Sequence, residues 1–146
     1  MKRLISVSAR RSVSLGFTLI EIMVVVAVVA ILAAAAYPSY MESVRRGWRA
    51  EARTALMQEM QQQERVYTQK AKYKVDAPHK NFAGDAPASS KYEIDVEGCT
   101  DREAEQCIRL TAKLKSAFSD PAVQDIWVDS TGEKGCNGRE PNRCWK

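Results

Sequence analysis

The sequence holds a single histidine, His79, in 146 residues. It has no Gly-x-Ser-x-Gly elbow, phosphate-binding loop, His-Glu-x-x-His pair or EF-hand loop. These absences remove the common hydrolytic, nucleotide-dependent and metal-dependent chemistries, and no enzyme, cofactor or metal site is expected. His79 follows Pro78 in the most loop-like stretch and is read as a solvated loop residue. No carboxylate precedes Glu21: the charges of residues 1–16 are Lys2, Arg3, Arg10 and Arg11, which account for the whole formal net charge of +4. A basic balance of this origin marks the cytoplasmic flank of a membrane segment and says nothing about nucleic acid. Beyond residue 36 no long apolar run occurs, and roughly 110 residues remain to fold outside the membrane, too few for a multi-domain enzyme.

What the chain does have is fifteen consecutive apolar positions at residues 22–36. Residues 17–36 form a 20-residue stretch that as a helix spans about 30 Å, one bilayer thickness. An ordinary secretory signal places its small-residue cleavage site after the apolar stretch. Here the small residue, Gly16, comes before it, so cleavage would discard the basic leader and keep the apolar segment. Glu21 alone breaks that segment. A carboxylate at membrane depth costs roughly 3 kcal/mol on insertion scales and calls for a cation or a polar surrounding. The new α-amino group of Phe17, from the same or a neighbouring copy, would supply the cation; snorkelling to the headgroups is the alternative.

Gly16 followed by Phe17, Thr18, Leu19, Ile20 and Glu21, then the apolar run and Tyr37, Pro38, Ser39 and Tyr40, resembles the class III signal of type IV prepilins. The resemblance implies that a membrane-embedded prepilin peptidase cuts after Gly16 and methylates the amine of Phe17. It implies that Glu21 registers each incoming subunit against its neighbour's terminal amine. It further implies a single-pass inner-membrane protein with its head in the periplasm, later part of an extracellular pilus, whose partners are other pilin subunits and an inner-membrane assembly platform. Bundling in the fibre exchanges one apolar surrounding for another. Register then rests on small residues such as Ala27, Ala30 and Ala33 and on the Glu21 pair.

The expected fold is α+β: a long N-terminal helix packed on a small antiparallel sheet. The boundaries are a cleaved leader at 1–16, a transmembrane and assembly helix at 17–37, an amphipathic stem helix at 38–74 and a disulfide-stabilised head at 75–146. Pro38 should kink the helix. In the stem, Met41, Val44, Trp48, Ala52, Ala55, Leu56, Met60, Val66 and Tyr67 recur at helical spacing, with Arg45, Arg46, Arg49, Arg53, Glu59 and Glu64 mostly elsewhere. Gln61, Gln62 and Gln63 are read as a solvated face. Residues 75–90 read as a loop. Alternation at residues 91–96, 107–114 and 124–128, closed by the Asp129-Ser130-Thr131-Gly132 turn, predicts about three strands. Their apolar residues Tyr92, Ile94, Ile108, Leu110, Ile126 and Trp127 should cover the stem's stripe.

Four cysteines, Cys99, Cys107, Cys136 and Cys144, lack zinc-ligand spacing and fit a disulfide framework in an oxidising compartment. They allow three pairings and the sequence does not choose among them; Cys99 with Cys107 and Cys136 with Cys144 is favoured because each pair closes a short loop. The acidic cluster Glu97, Asp101, Glu103 and Glu105 is read as charge on a solvated loop. Residues 126–134 with the terminal Cys144 and Trp145 resemble the minor pilins of the type IVa system. Many of those carry a Cys-Gly pair where this chain has Ile126 and Trp127. The resemblance implies a structural subunit serving pilus biogenesis, twitching motility and adhesion. The alternatives are a DNA-receptor pilin of natural transformation and a type II secretion pseudopilin. From residue 76 onward 13 carboxylates outnumber 10 cations, so the head as a whole should repel phosphate. Only the last stretch, with Lys134, Arg139, Arg143 and Trp145, offers a local DNA or partner contact. DNA is therefore a possible partner and not the favoured one.

Overall fold

The structure, a computed structural model, describes residues 16–76 and 78–146; Lys2, Arg3, Arg10 and Arg11 lie outside the described residues. Helix α1 spans Leu19–Lys70 with Pro38 inside it. The chain divides between Ser39 and Tyr40 into two compact units.

In the first unit α1 opens on a capping box. The amide of Glu21 donates to Thr18 Oγ1 at 3.3 Å, and the amide of Thr18 donates to Glu21 Oε2 at 3.5 Å. Each side chain thereby satisfies an amide that the first helical turn leaves unpaired. Every residue from 16 to 40 is exposed, and α1 is the one helix among the described residues long and apolar enough to cross a membrane. So large an apolar surface demands lipid or other helices as cover.

In the second unit Ala52, Ala55, Leu56 and Met60 of α1 join one hydrophobic cluster with the inward residues of the sheet. The strands are β1 (Tyr92–Gly98), β2 (Ile108–Leu114), β3 (Ile126–Asp129) and β4 (Lys134–Cys136). They form an antiparallel meander in the order β1-β2-β3-β4. The period of two places Tyr92, Ile94, Val96, Ile108, Leu110, Ala112, Ile126 and Val128 on the core face, each contributing on the order of 1–3 kcal/mol when fully buried. The β3–β4 turn is fixed by Asp129: its Oδ1 accepts from the amides of Thr131 and Glu133, both at 3.0 Å, and from the Thr131 hydroxyl at 2.6 Å. Gly132 supplies the positive φ of 88°.

Several expectations need correction. The sheet has four strands where about three were expected, because β4 is three residues long and contains Gly135, too short for alternation to register. The helix ends at Lys70 and not near 74: the Ala71 amide still donates to Tyr67 O at 2.7 Å, but Ala71 turns to φ 54° and stops it. Arg49, Glu59 and Gln63 are 1%, 6% and 1% exposed, so the polar side of the stem is partly buried. Trp127 lies on the sheet's outer face, out of register with Ile126 and Val128, and is half-buried under the Arg109 guanidinium at 4.2 Å.

Candidate functional site

The C-terminal loop is built outward from a buried ion pair that joins helix to head. The Arg49 guanidinium donates through Nε to Asp120 Oδ2 at 2.6 Å and through Nη2 to Oδ1 at 2.8 Å, a bidentate pair with both side chains buried. Asp120 Oδ1 also accepts from the amides of Ala122 and Val123. Burial alone would push the Asp120 carboxyl up, but the bonds from Arg49 and the two amides outweigh it and hold it below the ordinary carboxylate value. The bond to Asp120 likewise holds Arg49 above its ordinary value, against the opposing effect of burial. Tyr92, close by, is pushed up to about 12, first by burial and then by the Asp120 charge.

The segment so anchored carries the loop. Glu140 N donates to Ala122 O at 3.0 Å, Asn137 N to Asp125 O at 2.9 Å and Gln124 N to Asn137 O at 2.9 Å. Gly138, at φ 138°, sits so close to Ala122 that a Cβ would come within 2.4 Å of its carbonyl oxygen. Cys136 at the end of β4 is bonded to Cys144, which closes the loop; Cys99 is bonded to Cys107 across the β1–β2 connection. That second loop is fastened to the segment just after α1 by the Lys72–Glu105 pair at 2.9 Å and by the Tyr73 amide, which donates to Glu105 O at 2.9 Å.

On the C-terminal loop, Trp145 Nε1 donates to Gly135 O at 3.0 Å and the Lys134 ammonium lies 5.0 Å above the Trp145 ring. Both residues line a cavity of about 480 Å³ with Trp127, Pro141, Asn142 and Lys146. Gly135 is required beside it, because a Cβ there would come 2.3 Å from the Trp127 indole. Two tryptophans and two lysines thus share one concave surface, an arrangement that pairs stacking or apolar contact with cations for phosphate.

The cations do not stop at the loop. A smaller cavity of about 260 Å³ is lined by Glu42, Arg46, Arg49, Arg143 and Lys146, and Arg53 donates through Nη1 to the Lys146 carbonyl. The stem contributes Arg46 and Arg53 to the same basic surface as the tail. The spacing of residues 42, 46, 49 and 53, four, three and four apart, is one helical stripe. It was readable in the sequence as a stripe, but not as a neighbour of the tail. Of the four contact residues expected, the structure unites Lys134 and Trp145 and leaves Arg139 exposed on the loop. Arg143 is turned aside, into Glu42 Oε1 at 3.2 Å and Glu140 Oε2 at 2.7 Å.

Charge is sorted by the sheet order. Residues 91–107, on β1 and the loop after it, carry six carboxylates against Lys91 and Arg102, whereas residues 134–146 carry four cations against Glu140. β1 and β4 are opposite edges of the meander. Of the acidic cluster, Glu97 together with Asp95 of β1 holds Lys113, and Glu105 holds Lys72. The net negative head is therefore a poor description of any one of its faces.

The family described as type IV minor pilin ComP, DNA uptake sequence receptor, matches residues 38–122, more than half of the sequence. The chain belongs to this minor-pilin family. A prokaryotic N-terminal methylation motif matches residues 11–37, which contain Gly16, Phe17 and Glu21. Among solved structures, a type IV pilin from Shewanella oneidensis is similar over 61% of this chain and 88% of that one, at 21% identity and a TM-score of 0.47. No curated protein matches significantly. In this minor pilin Phe17 is 80% exposed and Gly16 has open space around it. Sequence reasoning assigned Glu21 to a cation and missed its bond to Thr18, although Thr-x-x-Glu ahead of an apolar run is the capping-box pattern.

Proposed function

We propose that this minor pilin binds duplex DNA, as the description of its family suggests, rather than acting only as a structural or adhesive subunit, and that it does so through the C-terminal disulfide loop, which lies beyond the matched residues 38–122. The observation that carries this reading is the cleft where Lys134 and Lys146 flank Trp127 and Trp145. Lys134, Arg139 and Lys146 contact successive phosphates, and the tryptophans provide the apolar surface. The opposite edge of the sheet, rich in carboxylates, repels the duplex and orients it. Delivery to the fibre follows the N-terminal motif: insertion in the inner membrane with the head in the periplasm, cleavage after Gly16, methylation of Phe17, and assembly into an extracellular pilus through the apolar helix.

The test uses the full chain in detergent micelles and a fluorescent DNA duplex, with binding read by anisotropy across a salt series. The triple variant Lys134→Gln/Arg139→Gln/Lys146→Gln is expected to bind at least about ten-fold more weakly. The slope of log affinity against log salt should be shallower by roughly 0.9 for each phosphate that is no longer neutralised. A triple variant that binds as the parent does, or a parent that does not bind DNA at all, would overturn the reading.

A further inference from the structure

The cation that sequence reasoning would rank beside Lys134 is the one that the fold neutralises. Arg143 is 46% exposed at its side chain, open enough to reach a phosphate, yet it is held by two carboxylates, Glu42 through Nη1 at 3.2 Å and Glu140 through Nε at 2.7 Å. An exposed ion pair between two mobile side chains would mean little. Glu42 differs because the same oxygen, Oε1, also accepts from Arg49 Nη1 at 3.1 Å, and Arg49 is itself fixed in the core by Asp120. One partner of the carboxylate is immobile. Glu42 is thus positioned in advance, and it puts a negative charge into the cavity that Arg46, Arg143 and Lys146 also line.

We propose that Glu42, assisted by Glu140, withholds Arg143 from DNA and so limits the sequence-independent affinity of the basic surface. The inference rests on the DNA-binding reading above. Phosphate contacts set affinity without carrying sequence information. What a receptor needs is the ratio of specific to non-specific binding, measured against a large excess of other DNA. A carboxylate that removes one cation from the phosphate-contacting set lowers the background while the Lys134 and Trp145 cleft is left unchanged. Glu42 is on this view a specificity-determining residue, and its position on α1 is dictated by the buried pair behind it.

The experiment compares Glu42→Gln, Arg143→Gln and the double variant in the full chain in detergent micelles, with a duplex of random sequence as the probe. Glutamine at 42 keeps an acceptor for Arg49 and removes the charge. Glu42→Gln is expected to bind about 3- to 10-fold more tightly near 0.1 M salt, with a salt slope steeper by about 0.9, the value for one added phosphate contact. Arg143→Gln alone should change affinity less than about two-fold, and in the double variant it should erase the gain. Glu140→Gln, which touches neither Arg49 nor Asp120, should also tighten binding in an Arg143-dependent way and gives a second readout if the variant at 42 folds poorly. A gain that survives in the double variant, or none from either glutamine variant in a chain whose parent binds DNA, overturns the inference alone. A parent that does not bind DNA overturns the reading beneath it.

Discussion

At the scale of single residues, the buried pair that ties the stem to the segment beginning at Asp120 is the one least visible in the sequence. Arg49 and Asp120 are separated by 71 positions, and each looks ordinary in its own neighbourhood, one among several arginines on a helix, the other between a serine and a proline. Hydrophobic periodicity cannot register a polar residue that faces inward to meet a distant carboxylate, so the sequence pattern places Arg49 off the apolar stripe. Removing one member of a buried pair strands the other and costs about 3–5 kcal/mol. Asp120→Asn should therefore lower stability by about that amount near neutral pH. The sign of the pH dependence follows from the depressed carboxyl. Its stabilising contribution is present above the unfolded value of about 3.8 and is lost as pH falls through the lower folded-state value. Thermal unfolding of the full chain between about pH 7 and pH 2 should show an acid-side loss in the parent that is smaller in Asp120→Asn. A variant of parental stability with an undiminished acid transition would mean that the pair does not anchor the loop.

At the scale of elements, the sequence was most informative where one period persists. The apolar half of α1 and the alternation of β1, β2 and β3 could be located to within a few residues, because each runs long enough for its face to show. β4 could not, since three residues with a central glycine carry no period, and what keeps it in place is its pairing with β3, the Cys136–Cys144 bond and Trp145 on the Gly135 carbonyl. The two disulfides close loops of equal sequence separation, 8 residues, so chain entropy gives them similar weight, about 2.5 kcal/mol each. Their expected effects on DNA binding differ. Cys136→Ala/Cys144→Ala should lose that stability and also lower DNA affinity several-fold, since it releases Trp145 and β4. Cys99→Ala/Cys107→Ala should lose similar stability and leave affinity near parental. Denaturant unfolding together with anisotropy separates the two; equal loss of affinity in both would place the DNA-binding surface elsewhere.

At the scale of the whole molecule, two sums were misleading and for the same reason. The formal net charge of +4 concealed a balanced remainder behind a basic leader, and the head's net charge concealed a meander that separates acid from base at opposite edges. Totals carry no position, and position is what a fold adds. The N-terminal segment was more legible, because its polar exception, Glu21, lies in a run where nothing else competes for attention. The structure shows a capping box with Thr18, and the resemblance to prepilins adds a second, proposed role, charge pairing with a neighbour's terminal amine in the fibre. Substitution can separate them, because glutamine can complete a capping box but carries no charge. Glu21→Gln should be cleaved after Gly16 at the parental rate, yet enter fibres at a small fraction of the parental amount, read by mass spectrometry of sheared pili and of the remaining membranes. Glu21→Val, which loses both roles, should be cleaved as well and incorporate no better. Parental incorporation of Glu21→Gln with failure of Glu21→Val would assign the residue to capping, and the registration of subunits would then have to come from the small-residue packing of the helices alone.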